Sequence, residues 1–131
     1  MDRLELLYAA DDAAEDTIAN SGGTFDAVTL APIMATEGYV IGGLAPTRTI
    51  AYPATRAAIA AELLTLRATL AAEGDAPYLG TWADDATSTV YVDACVILPD
   101  LESAGILART LGELAVYDLA NGVSIAAEDA R

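Results

Sequence analysis

The amino-acid sequence predicts an α+β protein with a mainly antiparallel sheet and two amphipathic helices. Short runs rich in β-branched and aromatic residues alternate with polar turns, which is typical of paired strands. Two other segments space their apolar residues three and four positions apart, which indicates helices with one buried stripe. The order strand, strand, helix occurs at 39–73 and again at 78–112, and a further strand follows. The expected order is therefore ββα-ββα-β.

The first 23 residues predict an acidic N-terminal helix or arm. A weak helical stripe there consists of Leu4, Leu7, Tyr8, Ala14 and Ile18, and the polar and glycine-rich run 20–23 ends it. Because the stronger apolar patterns begin later, residues 24–131 are expected to form a single compact α+β domain. This domain should fold without residues 1–23.

The strand signals of the first half are short. Residues 24–30 predict one strand, and 39–41 and 47–52 predict two more, connected through the glycine-containing segment 42–46. A strong helical stripe follows, and it consists of Ile59, Leu63, Leu66 and Leu70. Thr55 is a suitable N-cap for this helix, which should end near Gly74 and Asp75.

An alanine face lies almost opposite that stripe, at Ala57, Ala61, Ala68 and Ala72. Alanine favours helix formation wherever packing does not decide the residue, so this face is interpreted mainly as filler. Small side chains would also let a second copy approach closely. A homodimer therefore stays open as an alternative.

The second half has the clearest signals. Residues 78–83 and 89–98 predict a hairpin, because the connector 84–88 is short and polar. A helical stripe then consists of Leu101, Ala104, Leu107, Ala108 and Leu111, and Gly112 is a natural helix end. Residues 114–119 return to strand. The Asn121-Gly122 turn precedes a last short strand at 123–125.

The charge balance is strongly acidic. Twenty acidic residues face six arginines, lysine and histidine are absent, and the formal net charge is −14. Direct binding to nucleic acid or to an anionic membrane is not expected, because both depend on basic residues. A partner protein with a basic surface fits this charge. No uncharged run approaches the ~20 residues of a membrane span, and the single Cys95 cannot form an internal disulfide, so the expected compartment is the cytoplasm of a bacterial cell.

The residue types disfavour catalysis. Histidine and lysine supply the common general base, the Schiff-base amine and the imidazole metal ligand, so we expect neither enzymatic activity nor a cofactor. Cys95 lies in an apolar strand and is interpreted as a structural thiol. Asp84 and Asp85 can bind a divalent cation only with a further carboxylate, whereas adjacent acids in a turn are usually solvated. No metal site is therefore predicted.

Six residues are candidates for an interaction surface or polar site: Trp82, Asp84, Asp85, Asp93, Tyr117 and Asp118. Strand alternation places Asp93 on the same face as Tyr91 and Cys95, where a carboxylate is unfavourable unless it is hydrogen-bonded. One interpretation is an edge position or hydrogen bonds from backbone amides, which is favoured. The other is a polar pocket shared with Thr81, Tyr117 or Asp118.

Three segments carry a resemblance to other proteins: 80–84 (GTWAD), 90–93 (VYVD) and 113–119 (ELAVYDL). They resemble small acidic proteins of unknown role in actinobacteria and their phages. The pattern of Tyr78, Gly80, Thr81 and Trp82 is also similar to the opening strand of the acidic antirestriction proteins that mimic DNA. The first resemblance implies an accessory protein of a phage or mobile element.

The expected function is therefore non-enzymatic binding of a host protein, for example as a counter-defence inhibitor. The alternatives are a virion or assembly component and a domain that binds a small molecule or metal through carboxylates. DNA mimicry fits less well, because the average charge per unit of surface is about fourfold lower than that of duplex DNA.

Overall fold

The structure is a computed structural model that describes residues 1–73 and 76–131. The helices in this part of the chain are α1 (Arg3–Asn20), α2 (Arg56–Glu73) and α3 (Leu101–Leu111). The strands are β1 (Gly22–Asp26), β2 (Tyr39–Ile41), β3 (Arg48–Ala51), β4 (Tyr78–Asp84), β5 (Thr89–Leu98), β6 (Ala115–Asp118) and β7 (Val123–Ala126), followed by a 3-10 turn (Ala127–Asp129). The predicted class and the antiparallel sheet are confirmed. The expected end of the second helix near Gly74 and Asp75 lies outside the described residues.

The strands form one antiparallel sheet in the order β1-β4-β5-β2-β6-β7, and β3 also pairs with β5. β2 pairs with residues 96–98 of β5, whereas β3 pairs with residues 89–92. The two strands thus lie end to end along β5. They do not pair with each other, so a hairpin of 39–41 with 47–52, which the strand, strand, helix order would suggest, is wrong. The connector 42–47 bulges outward and the chain then continues in the same direction, with Leu44 donating its N–H to the Ala94 carbonyl at 3.2 Å.

β1 is displaced from its expected position. The strand begins at Gly22 and ends at Asp26 rather than spanning 24–30. Asp26 ends it by accepting hydrogen bonds from the N–H groups of Val28 and Thr29, both at 2.8 Å, which fold the following residues into a turn.

All three helices pack on one face of the sheet, here called the covered face. On β5, Val90, Val92 and Ala94 point to this face and are fully buried. They form one core cluster with α1, α2, β1 and β4, and its members on α2 are the predicted Ile59, Leu63, Leu66 and Leu70. The intervening β5 residues point away from the helices, to the open face.

α1 packs through a face that shares only Ala14 with the predicted stripe. Of the large apolar residues of the predicted stripe, Leu4, Leu7, Tyr8 and Ile18 are exposed, while Ala10, Ala13, Ala14 and Thr17 are buried. Their short side chains let α1 approach α2 and the sheet closely. The first 20 residues are therefore a core helix rather than a free arm, and the expected domain boundary at residue 23 falls inside β1.

A second core cluster joins α3 to the C-terminal strands. Ala104 and Ala108 of α3 pack with Ile41, Val116 and the C-terminal Ala130. Gly105 allows this approach, since a Cβ there would lie 1.8 Å from the Ala130 carbonyl oxygen. Arg109 fixes the same end of the chain by donating to the carbonyls of Ala127 at 2.6 Å and Ala130 at 3.0 Å.

Within the described residues, none of the helices has the length and apolar character needed to cross a membrane.

Candidate functional site

The open face of the sheet contains a concave region of about 670 Å³. Strand alternation supplies its lining, because every second residue of β4, β5 and β6 points away from the helices. Its lining includes Trp82, Tyr91, Asp93, Cys95, Val40 and Tyr117. Ile33 and Ala35, in the segment that connects β1 with β2, also line it. Residues from six strands and a connecting segment thus line one surface, which we call the open-face concavity.

Aromatic rings dominate the exposed part of this concavity. Trp82 and Tyr91 are direct cross-strand partners on β4 and β5, and their ring centroids lie 6.1 Å apart with the planes inclined by 39°. Trp82 is 58% exposed and Tyr117 is 42% exposed. Large exposed aromatic residues on a concave surface are characteristic of binding sites.

Asp93 lies in the concavity beside these rings. Its carboxylate accepts hydrogen bonds from the Gly43 N–H at 2.9 Å and from the Thr47 hydroxyl at 3.1 Å. These bonds fix the connector between β2 and β3, and they agree with the interpretation that backbone amides satisfy this carboxylate. Burial raises the pKa of Asp93 above its ordinary value, although the two hydrogen bonds oppose that shift.

Glu113 brings a second carboxylate close to Asp93, and the sequence reasoning missed it. A Cβ on Gly42 would lie 2.1 Å from an Asp93 oxygen and 3.5 Å from a Glu113 oxygen, so both carboxylates border the same glycine. Gly43 has φ +80°, and a Cβ there would lie 2.2 Å from a Glu113 oxygen. Partial burial, and then repulsion from Asp93, raise the pKa of Glu113. The Gly42-Gly43 pair in the connecting segment was the available sequence signal of a close approach.

The three other predicted candidates are turn residues. Asp84 accepts from the Ala86 N–H at 3.0 Å and the Thr87 hydroxyl at 2.9 Å, and Asp85 is exposed in the same turn. Asp118 is buried and holds the β6–β7 turn by accepting from the Asn121 amide at 2.7 Å. The carboxylates of Asp84 and Asp118 each cap a backbone N–H group, of Ala86 and Ala120 respectively, which is the usual role of Asp in turns.

The suggested polar pocket around Asp93 is only partly present. Thr81 and Asp118 lie on the covered face, because each is out of phase with Asp93 in the alternation of its strand. Thr81 contacts the hydroxyl of Thr17 at 2.6 Å instead. Of the three proposed neighbours, Thr81 and Tyr117 both border the same concavity as Asp93, but the Thr81 hydroxyl is engaged with Thr17, which leaves Tyr117 as the polar side chain available there.

Cys95 forms part of the floor of the concavity. Its side chain is buried, and desolvation followed by the nearby Asp93 charge raises the pKa of the thiol to about 12. A thiol with such a pKa stays protonated at neutral pH, as a structural thiol does. Among residues 1–73 and 76–131, no group of three or more metal-binding side chains comes together.

A second uncovered surface lies on the helical layer. It comprises the exposed apolar residues of α1 and the neighbouring alanines of α2, of which Ala57, Ala61 and Ala68 are exposed. Arg56 lies between the helices and pairs with Asp11 at 2.6 Å and Glu15 at 3.2 Å, which neutralises part of the acidic cluster on α1. This surface is where the alternative of a homodimer would apply.

Comparison of the chain with protein-family models, with curated proteins and with solved structures finds no match.

Proposed function

We propose that this protein is a non-enzymatic binding protein that holds a basic partner protein on the open face of its sheet. The observation that carries the proposal is the open-face concavity, whose lining combines the aromatic side chains of Trp82, Tyr91 and Tyr117 with the carboxylate of Asp93. Its occupant should combine apolar contact area with positive charge, since the chain carries a net charge of −14. The expected setting is the cytoplasm of a bacterial cell, with a phage-type accessory role directed at a host protein.

The distribution of arginines supports this choice of partner. Five of the six arginines have partners away from the concavity: Arg48 with Glu62, Arg56 with Asp11 and Glu15, Arg67 with the Val28 carbonyl, Arg109 with the C-terminal carbonyls, and Arg131 with the Glu128 carbonyl. No basic side chain of the described residues lines the concavity. The Asp93 charge in the concavity is therefore left for a partner to neutralise.

The test is capture from a lysate of an actinobacterial host, followed by kinetics with the captured protein. Trp82→Ala and Tyr117→Ala should lose the partner. Ile106→Ala is the matched control, because Ile106 is 53% exposed on α3 and does not line the concavity. With the purified partner, the association rate should fall clearly from low to physiological salt, because screening weakens long-range attraction.

Two results would contradict the proposal. Capture that survives both aromatic substitutions would remove the open face as the binding surface. A salt-insensitive association rate would remove the basic partner. If the partner itself binds nucleic acid, competition by duplex DNA in the same assay would show whether this protein occupies the partner's nucleic-acid site.

The concavity also favours a second candidate, the binding of a small molecule. Its volume of about 670 Å³ falls within the range of roughly 300–1,000 Å³ typical of ligand pockets. Mass spectrometry of the protein purified under native conditions distinguishes the two, because a bound small molecule adds a discrete mass that Trp82→Ala should abolish.

A further inference from the structure

A recess in the floor of the open-face concavity adjoins Asp93. Gly80 of β4 is the direct cross-strand partner of Asp93, and Thr24 lies opposite Gly80 on β1. A side chain at position 80 would fill the space between Trp82 and Tyr78, which flank it on the same face. A Cβ there would find its nearest neighbour in the Cys95 sulfur at 3.4 Å, which is ordinary contact. The glycine thus leaves space in the concavity on the strand that pairs with β5 at Asp93.

The Asp93 carboxylate keeps acceptor capacity beyond its contacts with the β2–β3 connector. A carboxylate has about four lone-pair sites, and Asp93 uses two of them for Gly43 and Thr47. Glu113 adds a second negative charge close by. No arginine of the described chain reaches either group, since five are engaged elsewhere and Arg3 begins α1 on the covered face.

The aromatic pair provides the other half of a cation site. The rings of Trp82 and Tyr91 are tilted by 39° rather than stacked, and more than half of the Trp82 surface is accessible. A cation within about 6 Å of an aromatic centroid is attracted to the ring face, and Trp gives the strongest attraction. Guanidinium suits this arrangement better than ammonium does, because it stacks on a ring and presents several donors in one plane to a carboxylate.

We propose that the open-face concavity contains a site for one arginine side chain of the partner, with its guanidinium on Trp82 and Tyr91 and hydrogen-bonded to Asp93. The inference rests on the proposed function and names the partner group that this surface recognises. Glu113 contributes attraction without direct contact. Tyr117 and Val40 provide apolar area for the residues that flank the arginine.

The test uses the full chain and three synthetic peptides of identical length, in which glycine alternates with arginine, with lysine or with citrulline. Trp82 is the only tryptophan in the chain, so its fluorescence reports on the site directly. At physiological salt, the arginine peptide should shift the emission saturably at up to millimolar concentration. The lysine peptide should bind several-fold more weakly, and the citrulline peptide, which has the shape of arginine without its charge, should not bind.

Two substitutions separate a specific contact from net charge. Asp93→Asn should weaken binding of the arginine peptide at least tenfold. Asp85→Asn removes the same charge from the exposed turn and should change it less than twofold. Tyr91→Leu should also weaken binding while leaving the Trp82 signal available. Thermal unfolding of each variant checks that it folds. If Asp93→Asn does not fold, Glu113→Gln replaces it, because Glu113 makes no side-chain hydrogen bond within the described residues. This variant should weaken binding of the arginine peptide two- to threefold.

Equal effects of Asp93→Asn and Asp85→Asn, equal binding of the lysine and arginine peptides, or no binding of the arginine peptide would each overturn the arginine site. Partner capture that still depends on Trp82 and Tyr117 would then leave the proposed function standing. Loss of that dependence would overturn the proposed function itself.

Discussion

The two faces of the sheet carry different kinds of side chain on the same strands. On the covered face, β4 and β5 present Leu79, Val90 and Val92, which are fully buried under the helices. On the open face, the adjacent residues include Trp82, Tyr91 and Asp93, which are exposed or partly exposed. The covered face supplies stability, whereas recognition is the role that we propose for the open face. Because successive residues alternate between faces, substitutions can address one role without the other.

Removal of α1 should have the largest effect, because it uncovers the core side of β1 and β4. Deletion of residues 1–20 is expected to lower Tm by more than ~10 °C or to abolish cooperative unfolding. Circular dichroism during heating measures this. A deleted chain that melts within a few degrees of the full chain would show that the helix is a dispensable arm, as the sequence suggested.

The next contrast is between two large side chains on opposite sides of the molecule. Leu63 of α2 is completely buried on the covered face, and Leu63→Ala should destabilise the protein by about 2–5 kcal/mol through the cavity it leaves. Trp82→Ala on the open face should cost less than about 1 kcal/mol, since most of the indole is already in water. Urea unfolding of both variants provides the comparison, and a larger cost for Trp82→Ala would contradict the division of roles.

A smaller effect is expected at the polar contact between α1 and β4. The Thr17 hydroxyl donates its only hydrogen to the Ala13 carbonyl at 2.9 Å. In the 2.6 Å contact between the two threonines, the Thr81 hydroxyl must therefore be the donor and the Thr17 hydroxyl the acceptor. Thr17→Val leaves the buried Thr81 hydroxyl without a partner and should cost about 1–2 kcal/mol. The double variant with Thr81→Val should recover part of that loss. Additive losses in urea unfolding would show that the two hydroxyls act independently.

The smallest effect concerns Glu113 and its dependence on pH. The pKa of Glu113 is higher in the folded than in the unfolded chain. Its contribution to stability is therefore fully present below the unfolded-state pKa and is lost as pH rises through the folded-state pKa. Glu113→Gln should therefore raise Tm by about 2 °C at pH 7 and leave it unchanged near pH 3. Glu37→Gln, which changes an exposed loop carboxylate, is the control. A gain that persists at pH 3 would assign the effect to packing rather than to charge.

The sequence predicted most of the elements, because period-2 and period-3.6 patterns are local. That periodicity also placed Asp93 beside Tyr91 and Cys95 on one face. It did not show that β2 and β3 share an edge of β5, since strand pairing depends on distant residues. Apart from Ala14, it also predicted the wrong face of α1. Short alanine side chains pack closely there, whereas the large apolar residues of the predicted stripe stay exposed. Glu113 had no local signal at all, because only the fold brings it next to Gly43.

β5 is ten residues long, and both core clusters meet on it. Its first half packs with α1 and α2, while Val96 and Leu98 pack with α3. Such an arrangement allows two cooperative units, in which the C-terminal unit of α3, β6 and β7 can open transiently while the other stays folded. Trp82 belongs to the first unit and Tyr117 to the second. A partner that contacts both residues would bridge the units, so binding should slow amide hydrogen exchange in β6 and β7 even at groups that it does not touch.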